Sequence, residues 1–163
     1  YFIKSGLMHA ICEGAIIAEI QQNSNTTYRV YDYNRGRELH VDKALDVVDL
    51  NLRGRKSIGL KLENEGFSKT YLCLAKEFSL EKYEVSTEFT ENSDPERFYI
   101  FTCVEGQGII SYSNGTETIK KGESVLIPAA LGEYTFKGNM VLLKSYVPDV
   151  EKVEKEIIQV IKG

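Results

Sequence analysis

The sequence predicts an all-β protein of the sandwich or jelly-roll class with two helices set into it. Three observations predict that class. Short apolar or alternating runs recur along most of the 163 residues, punctuated by Gly, Asn and Ser. From residue 72 to residue 147 they follow one another at about the 8–12-residue spacing of sandwich and barrel strands. Only two stretches carry the 3.6-residue period of a helix.

Taken in order, residues 14–20 form a mostly apolar run ending in Glu19 and Ile20, and Thr26–Tyr33 is rich in β-branched and aromatic residues. The first helix is expected over His40–Leu50, with Val41, Ala44, Leu45 and Val48 at helical spacing and Asp42 in its first turn. Residues 51–71 are mixed and polar, with Gly54, Gly59 and Gly66, and read as a connector. Tyr83–Phe89 alternates as a half-buried strand should. Phe98–Val104 is a continuous apolar run, expected of a strand buried on both faces. Gly108–Tyr112 and Thr116–Ile119 flank Ser113-Asn114-Gly115, a hairpin signal in which Asn-Gly would take up positive φ. Ser124–Ile127 stops at Pro128, and Met140–Val147 is the last expected strand. Asp149, after Pro148, is placed to cap a second helix running to Lys162, with Val150, Val153, Ile157, Val160 and Ile161 on one face.

Composition narrows the function. Lys and Arg number 20 against 24 Asp and Glu, a net charge of −4. Nucleic acid and anionic membrane surfaces need a concentrated basic field, so neither is an expected partner. No run approaches the roughly 20 apolar residues of a membrane span. Cys12, Cys73 and Cys103 are odd in number and far apart, forming neither a disulfide framework nor a CxxC metal site. They read as reduced thiols of a cytoplasmic protein, buried in strands.

The pattern divides into residues 1–50, the connector 51–71, a jelly-roll unit over 72–148 and the closing helix 149–163. The expected strands of residues 1–33 are too few to close a sandwich, which leaves an edge open to a second copy of the chain and makes a homodimer a possible partner arrangement. Tyr1-Phe2-Ile3 is already strand-like, without a turn or capping signal before it, and is expected to continue an element that starts upstream.

Residues that could carry chemistry cluster early. His9 follows the turn Ser5-Gly6-Leu7-Met8 and is a candidate metal ligand, or a hydrogen-bonded polar residue. Glu19 closes an apolar run, where desolvation would suit it to proton transfer, unless it points outward. Gln21-Gln22-Asn23-Ser24-Asn25 is a dense set of neutral donors and acceptors, suited to sugar hydroxyls and equally to a loop. Arg29 lies in a β-rich run and needs an anion or a carboxylate partner. His40 is expected at the surface, near the start of its helix.

Val104-Glu105-Gly106-Gln107-Gly108 and Lys121-Gly122-Glu123-Ser124-Val125-Leu126-Ile127-Pro128 read as two tight turns and resemble the two cupin motifs. No histidine follows His40, so a cupin here would lack the usual histidine metal site. Ile3-Lys4-Ser5-Gly6-Leu7-Met8-His9-Ala10-Ile11 and the segment Glu19–Tyr33 resemble the second cupin motif and the signature segment of the type I mannose-6-phosphate isomerases, in their shorter bacterial form. Arg37-Glu38-Leu39-His40 and Lys43-Ala44-Leu45-Asp46-Val47 resemble the helix that follows in that family.

The resemblance implies a cupin-type jelly roll, with residues 1–50 as the end of a catalytic cupin and 72–148 as a metal-free C-terminal cupin. It implies interconversion of mannose 6-phosphate and fructose 6-phosphate with one zinc ion, so that a small sugar phosphate is the expected partner. His9 matches a zinc ligand, Arg29 the catalytic arginine, Glu19 an acidic pocket residue and Arg35 a basic residue facing the phosphate. Leu7-Met8 stands where members usually have Gly-Thr. The remaining zinc ligands of the family lie upstream of this motif, so the chain resembles a C-terminal half and is expected to be inactive alone. The competing reading is a non-catalytic cupin that binds sugar or serves in an interaction.

Overall fold

The computed structural model describes residues 1–162, which divide into two units, Tyr1–Ser57 and Ile58 onward. The second unit is a bent antiparallel sheet of eight strands: β1 (Leu60–Asn64), β2 (Phe67–Leu74), β3 (Ser79–Val85), β4 (Glu88–Asn92), β5 (Tyr99–Tyr112), β6 (Gly115–Lys120), β7 (Ser124–Ile127) and β8 (Glu133–Tyr146). The path runs β1-β2-β3-β8-β5-β6, with β4 on β8 and β7 on β5. The two 14-residue strands organise everything else. β8 pairs with β3 through its second half, with β4 through its first, and with β5 along most of its length. β5 in turn carries β7 on its first half and β6 on its second. This is the jelly roll that the strand pattern predicts.

The core lies on one parity of each strand, because successive strand side chains face opposite ways. Ser79, Glu81, Tyr83 and Val85 point inward from β3; Tyr134, Phe136, Met140, Leu142 and Lys144 do so from β8. β5 buries Tyr99, Phe101 and Cys103, then Ile110, so its inward parity switches from odd to even. The switch coincides with a register shift between Cys103 and Glu105, a bulge that inserts one residue. Gly106 serves it at φ 74°; a Cβ there would meet the Asn139 carbonyl oxygen at 2.1 Å. Phe89, Phe101, Phe136 and Tyr83 stack and tilt against one another with ring centroids 4.7–6.2 Å apart, filling the interior.

Several expectations are corrected. The stretch 51–71 holds β1 and most of β2; the β2 residues opposite the inward Val85, Tyr83 and Glu81 are Phe67, Lys69 and Tyr71, and the charged Lys69 among them, with buried polar Ser68 and Thr70 on the other face, hides the alternation. Tyr83–Phe89 is the end of one strand and the start of another, broken where Ser86 and Thr87 both donate to the Gly66 carbonyl. Phe98–Val104 is buried on one face only, with Ile100 and Thr102 half-buried and Phe98 exposed. Val104–Gly108 is the bulged middle of β5 and not a turn. The β5–β6 hairpin forms with Tyr112 opposite Gly115, but neither Ser113 nor Asn114 has a positive φ. α2 (Val150–Lys162) begins where expected, with Asp149 Oδ1 accepting the Lys152 N–H.

The first unit is different in kind. Its regular elements are α1 (Val41–Val47) and one antiparallel bridge between Phe2 and Arg55. Residues 14–20 and 26–33 form no strand. A strand is held by ladder bonds to a neighbour, and among the described residues these segments find none. Ile16 is accordingly fully exposed and Cys12, expected in a strand, is exposed as well. The turn at Ser5-Gly6 is fixed against the end of α1: the Asp49 N–H donates to the Gly6 carbonyl, and a Cβ on Gly6 would lie 2.9 Å from the Val47 oxygen.

Candidate functional site

The residues singled out by the sequence all fall in the first unit. His9 is exposed, two residues beyond the anchored turn, and its Nδ1 lies 2.8 Å from the Leu7 carbonyl oxygen. A carbonyl only accepts, so Nδ1 carries the proton and Nε2 keeps its lone pair outward. That is the tautomer of a ligating histidine. One imidazole does not make a metal centre, which takes about three protein ligands when catalytic. Among the described residues no three His, Cys, Asp or Glu side chains gather to hold an ion. The donor set of this chain therefore does not fit a complete zinc site.

Glu19 and Arg35 are exposed. Among the described residues, no hydrogen bond or ion pair joins His9, Glu19, Arg29 and Arg35 to one another. Glu19 and Arg29 fall in runs expected to be strands, but neither they nor His9 lies in a strand.

Arg29 is the best-held member of the set. Its Nη1 donates to the Glu38 carbonyl at 3.1 Å, and its Nε stands 3.9 Å from Asp32 Oδ1. Its backbone is tied twice to His40: the His40 N–H donates to the Arg29 carbonyl at 2.7 Å, and the Arg29 N–H donates to His40 Nδ1 at 3.3 Å. His40 is the residue before α1, and its carbonyl accepts the Ala44 N–H. It is half-buried beside Tyr28, not at the surface as its position suggested.

Between these two residues the chain reverses. Tyr33 and Asn34 take positive φ, as does Gly36. Asp32, buried, closes the reversal by accepting the Arg37 N–H at 2.9 Å and Arg37 Nε at 2.5 Å. The Arg37 backbone contact, prevailing over the cost of burial, holds the Asp32 carboxyl below its ordinary range, with the Arg37 guanidinium helping. Arg37 is thus spent on Asp32, while the Arg35 guanidinium has no protein partner among the described residues. Asp32, Arg37 and His40 were not visible as a group in the sequence; the only signal was the dense alternation of Arg, Asp and Asn over residues 29–37.

The second unit holds a separate cluster inside its barrel. Glu81 accepts from Tyr146 Oη at 2.5 Å, Tyr83 Oη at 3.0 Å and Lys69 Nζ at 2.9 Å. Glu91 accepts from Tyr83 Oη at 2.5 Å, Lys144 Nζ at 2.7 Å and Tyr134 Oη at 2.9 Å. Tyr83 has one proton and faces both carboxylates, so it donates to one at a time. Two ammonium groups balance two carboxylates, and Lys144 also lies 4.0 Å from the centre of the Tyr99 ring. Burial alone would raise the Glu91 carboxyl, but Lys144, Lys69 and the Tyr83 hydroxyl prevail and bring it down to about 2. Burial pushes the Tyr83, Tyr134 and Tyr146 phenols up, and the two glutamates push them further. Every polar group here is answered by another within the barrel, which suits a scaffold.

Comparison with known proteins places these units. Residues 68–147 match the family described as mannose-6-phosphate isomerase, cupin domain. The mannose-6-phosphate isomerase ManA of Bacillus subtilis (strain 168) is 30% identical over 153 residues, covering 90% of this chain and 48% of that protein. YvyI of the same organism, whose name carries the same isomerase as a provisional assignment, is 35% identical over 162 residues with the same coverage. The crystal structure of the mannose 6-phosphate isomerase from Bacillus subtilis superposes with a TM-score of 0.68 at 31% identity, over 76% of this chain and 41% of that one. The chain spans about half the length of the curated relatives it matches.

Proposed function

We propose, from the premise that this chain belongs to the mannose-6-phosphate isomerase family, that it contributes part of the active site of an aldose–ketose isomerase acting on mannose 6-phosphate and fructose 6-phosphate. The observation that carries this reading is the extent of the match: at 90% of the chain, it must run well into residues 1–57 and is not confined to the cupin unit.

Isomerisation between the two sugars moves a proton between C2 and C1 through a cis-enediol. Arg29 stabilises the negative oxygen of that species or fixes the substrate beside it. Its guanidinium is already oriented by the Glu38 carbonyl, with Nη2 left free of protein acceptors among the described residues. Glu19 is the candidate proton carrier, and Arg35, unpaired, is the group available to the phosphate. Were further ligands supplied from outside this chain, His9 Nε2 would be one of those holding a zinc ion. Zinc bound there would offset charge on the sugar oxygens. The open edge expected to pair with a second copy has no strand behind it over residues 14–20, and light scattering on the purified chain reads directly whether a dimer forms.

The test is isomerisation in deuterium oxide by a full-length protein carrying this sequence. Mannose 6-phosphate should be converted with solvent deuterium appearing at the transferred position. Conversion with no exchange under any condition contradicts the enediol route; absence of conversion contradicts the isomerase reading. The 163-residue chain alone should turn over at least about 1,000-fold more slowly, because among its described residues no three side chains gather to hold a metal ion. Stoichiometric zinc with full turnover in that chain would contradict this.

A further inference from the structure

We propose that His40 is a positioning residue for Arg29, acting as a neutral Nε2–H tautomer whose Nδ1 holds the Arg29 backbone. This rests on the reading of Arg29 given above. An amide N–H can only donate, so at 3.3 Å from it Nδ1 must present its lone pair, and the ring proton must sit on Nε2. The return bond, His40 N–H to the Arg29 carbonyl at 2.7 Å, closes a ring in which both backbone groups of Arg29 are tied to one residue. The guanidinium is tied next door, to the Glu38 carbonyl. Backbone and head of the same arginine are therefore referred to the three residues that lead into α1, and His40 is itself fixed there because its carbonyl accepts the first Ala44 bond of that helix.

The device depends on protonation state. An imidazolium has N–H on both nitrogens and cannot accept the Arg29 amide. The charged group facing the ring is the Glu38 carboxylate, 3.7 Å from Nε2, with the Tyr28 ring at a centroid distance of 6.3 Å. A protonated ring would therefore lose the Nδ1 contact that holds the Arg29 amide.

Two readouts test this independently. In the ¹⁵N-labelled 163-residue chain at pH 8, long-range proton–nitrogen correlation should show the Nε2–H tautomer at His40. The Arg29 amide should exchange about tenfold more slowly than in His40→Ala, since one hydrogen bond is lost in the variant. His40→Asn places a carboxamide oxygen where Nδ1 was and should restore the protection. An Nδ1–H tautomer, or an Arg29 amide unaffected by His40→Ala, overturns the proposal. In a full-length protein carrying this sequence, His40→Ala should lower kcat for mannose 6-phosphate about tenfold with KM within about twofold, and His40→Asn should recover most of it and flatten the acid limb. Equal kcat in wild type and His40→Ala overturns the positioning role even if the tautomer is as expected. If the wild type does not turn over the sugar at all, the isomerase reading fails, while the His40–Arg29 clamp is still judged by tautomer and exchange.

Discussion

The two units of this chain solve opposite problems. Residues 58–146 meet nearly every backbone and side-chain demand from within: eight strands pair in one sheet, and even two glutamates and two lysines in the barrel find partners there. Residues 1–57 hold the residues with chemical promise, yet their described backbone forms few regular elements beyond α1 and the Phe2–Arg55 bridge, and large apolar side chains such as Ile16 and Leu50 are exposed. The lesson is a division of labour. The second unit carries no histidine and answers its buried polar groups internally, while the candidate site residues lie in the first unit outside any strand, where order is local. Within those loops order is nonetheless specific, and it centres on Arg29 and Asp32.

The sharpest way to break the scaffold side is to unbalance its buried charges. Lys144→Ala should destabilise the second unit by about 3–5 kcal/mol in urea unfolding, because Glu91 would keep its burial and lose its nearest cation. A loss below about 1 kcal/mol would show that the cluster is solvated and not a core element. Acid should attack the same point. The Glu91 carboxyl is lower folded, at about 2, than its ordinary 4.5. Its stabilisation, on the order of 3 kcal/mol, is complete above about pH 4.5 and is lost as pH falls toward 2. Urea midpoints measured from pH 5 to pH 2 should fall in the wild type and fall less in Glu91→Gln. Next comes Gly106→Ala, which sets a Cβ against the Asn139 carbonyl at φ 74° and should cost about 1–3 kcal/mol. At the small end, Ile16→Ser in the first unit should change stability by less than about 0.5 kcal/mol, since its side chain touches water and little else. A large effect there would remove the contrast between the units.

How much of this was legible in sequence follows the physics of each element. β6, β7 and both helices announce themselves by local period and punctuation, and their bounds come out within a few residues. β1 and β2 do not, because in β2 the charged Lys69 holds an inward position and the buried Ser68 and Thr70 on the opposite face are polar, so no apolar period appears. Gly106 and Gly108 look like turn residues; in the fold they let β5 pass close to β8, a contact with a partner about 30 residues away that no local pattern reports. Glu81 could have been placed inside from its parity with Tyr83 and Val85. Residues 14–20 and 26–33 have strand composition without a strand, since propensity supplies no partner. His9, Glu19 and Arg29 were singled out by residue type and local setting, and Arg35 by resemblance alone. The geometry around them, with Asp32 on Arg37 and His40 on Arg29, joins residues 5 and 11 positions apart and follows no period.

The central claim, that reactivity belongs to the first unit and support to the second, is tested most directly by kcat for mannose 6-phosphate in a full-length protein carrying this sequence, with one substitution in each unit. Arg29→Ala should lower kcat by about 100-fold or more, as removal of a transition-state charge partner does. Tyr134→Phe, which deletes one hydroxyl on Glu91, should leave kcat within about twofold. Near-normal kcat in Arg29→Ala, or a loss in Tyr134→Phe matching that of Arg29→Ala, would contradict the account.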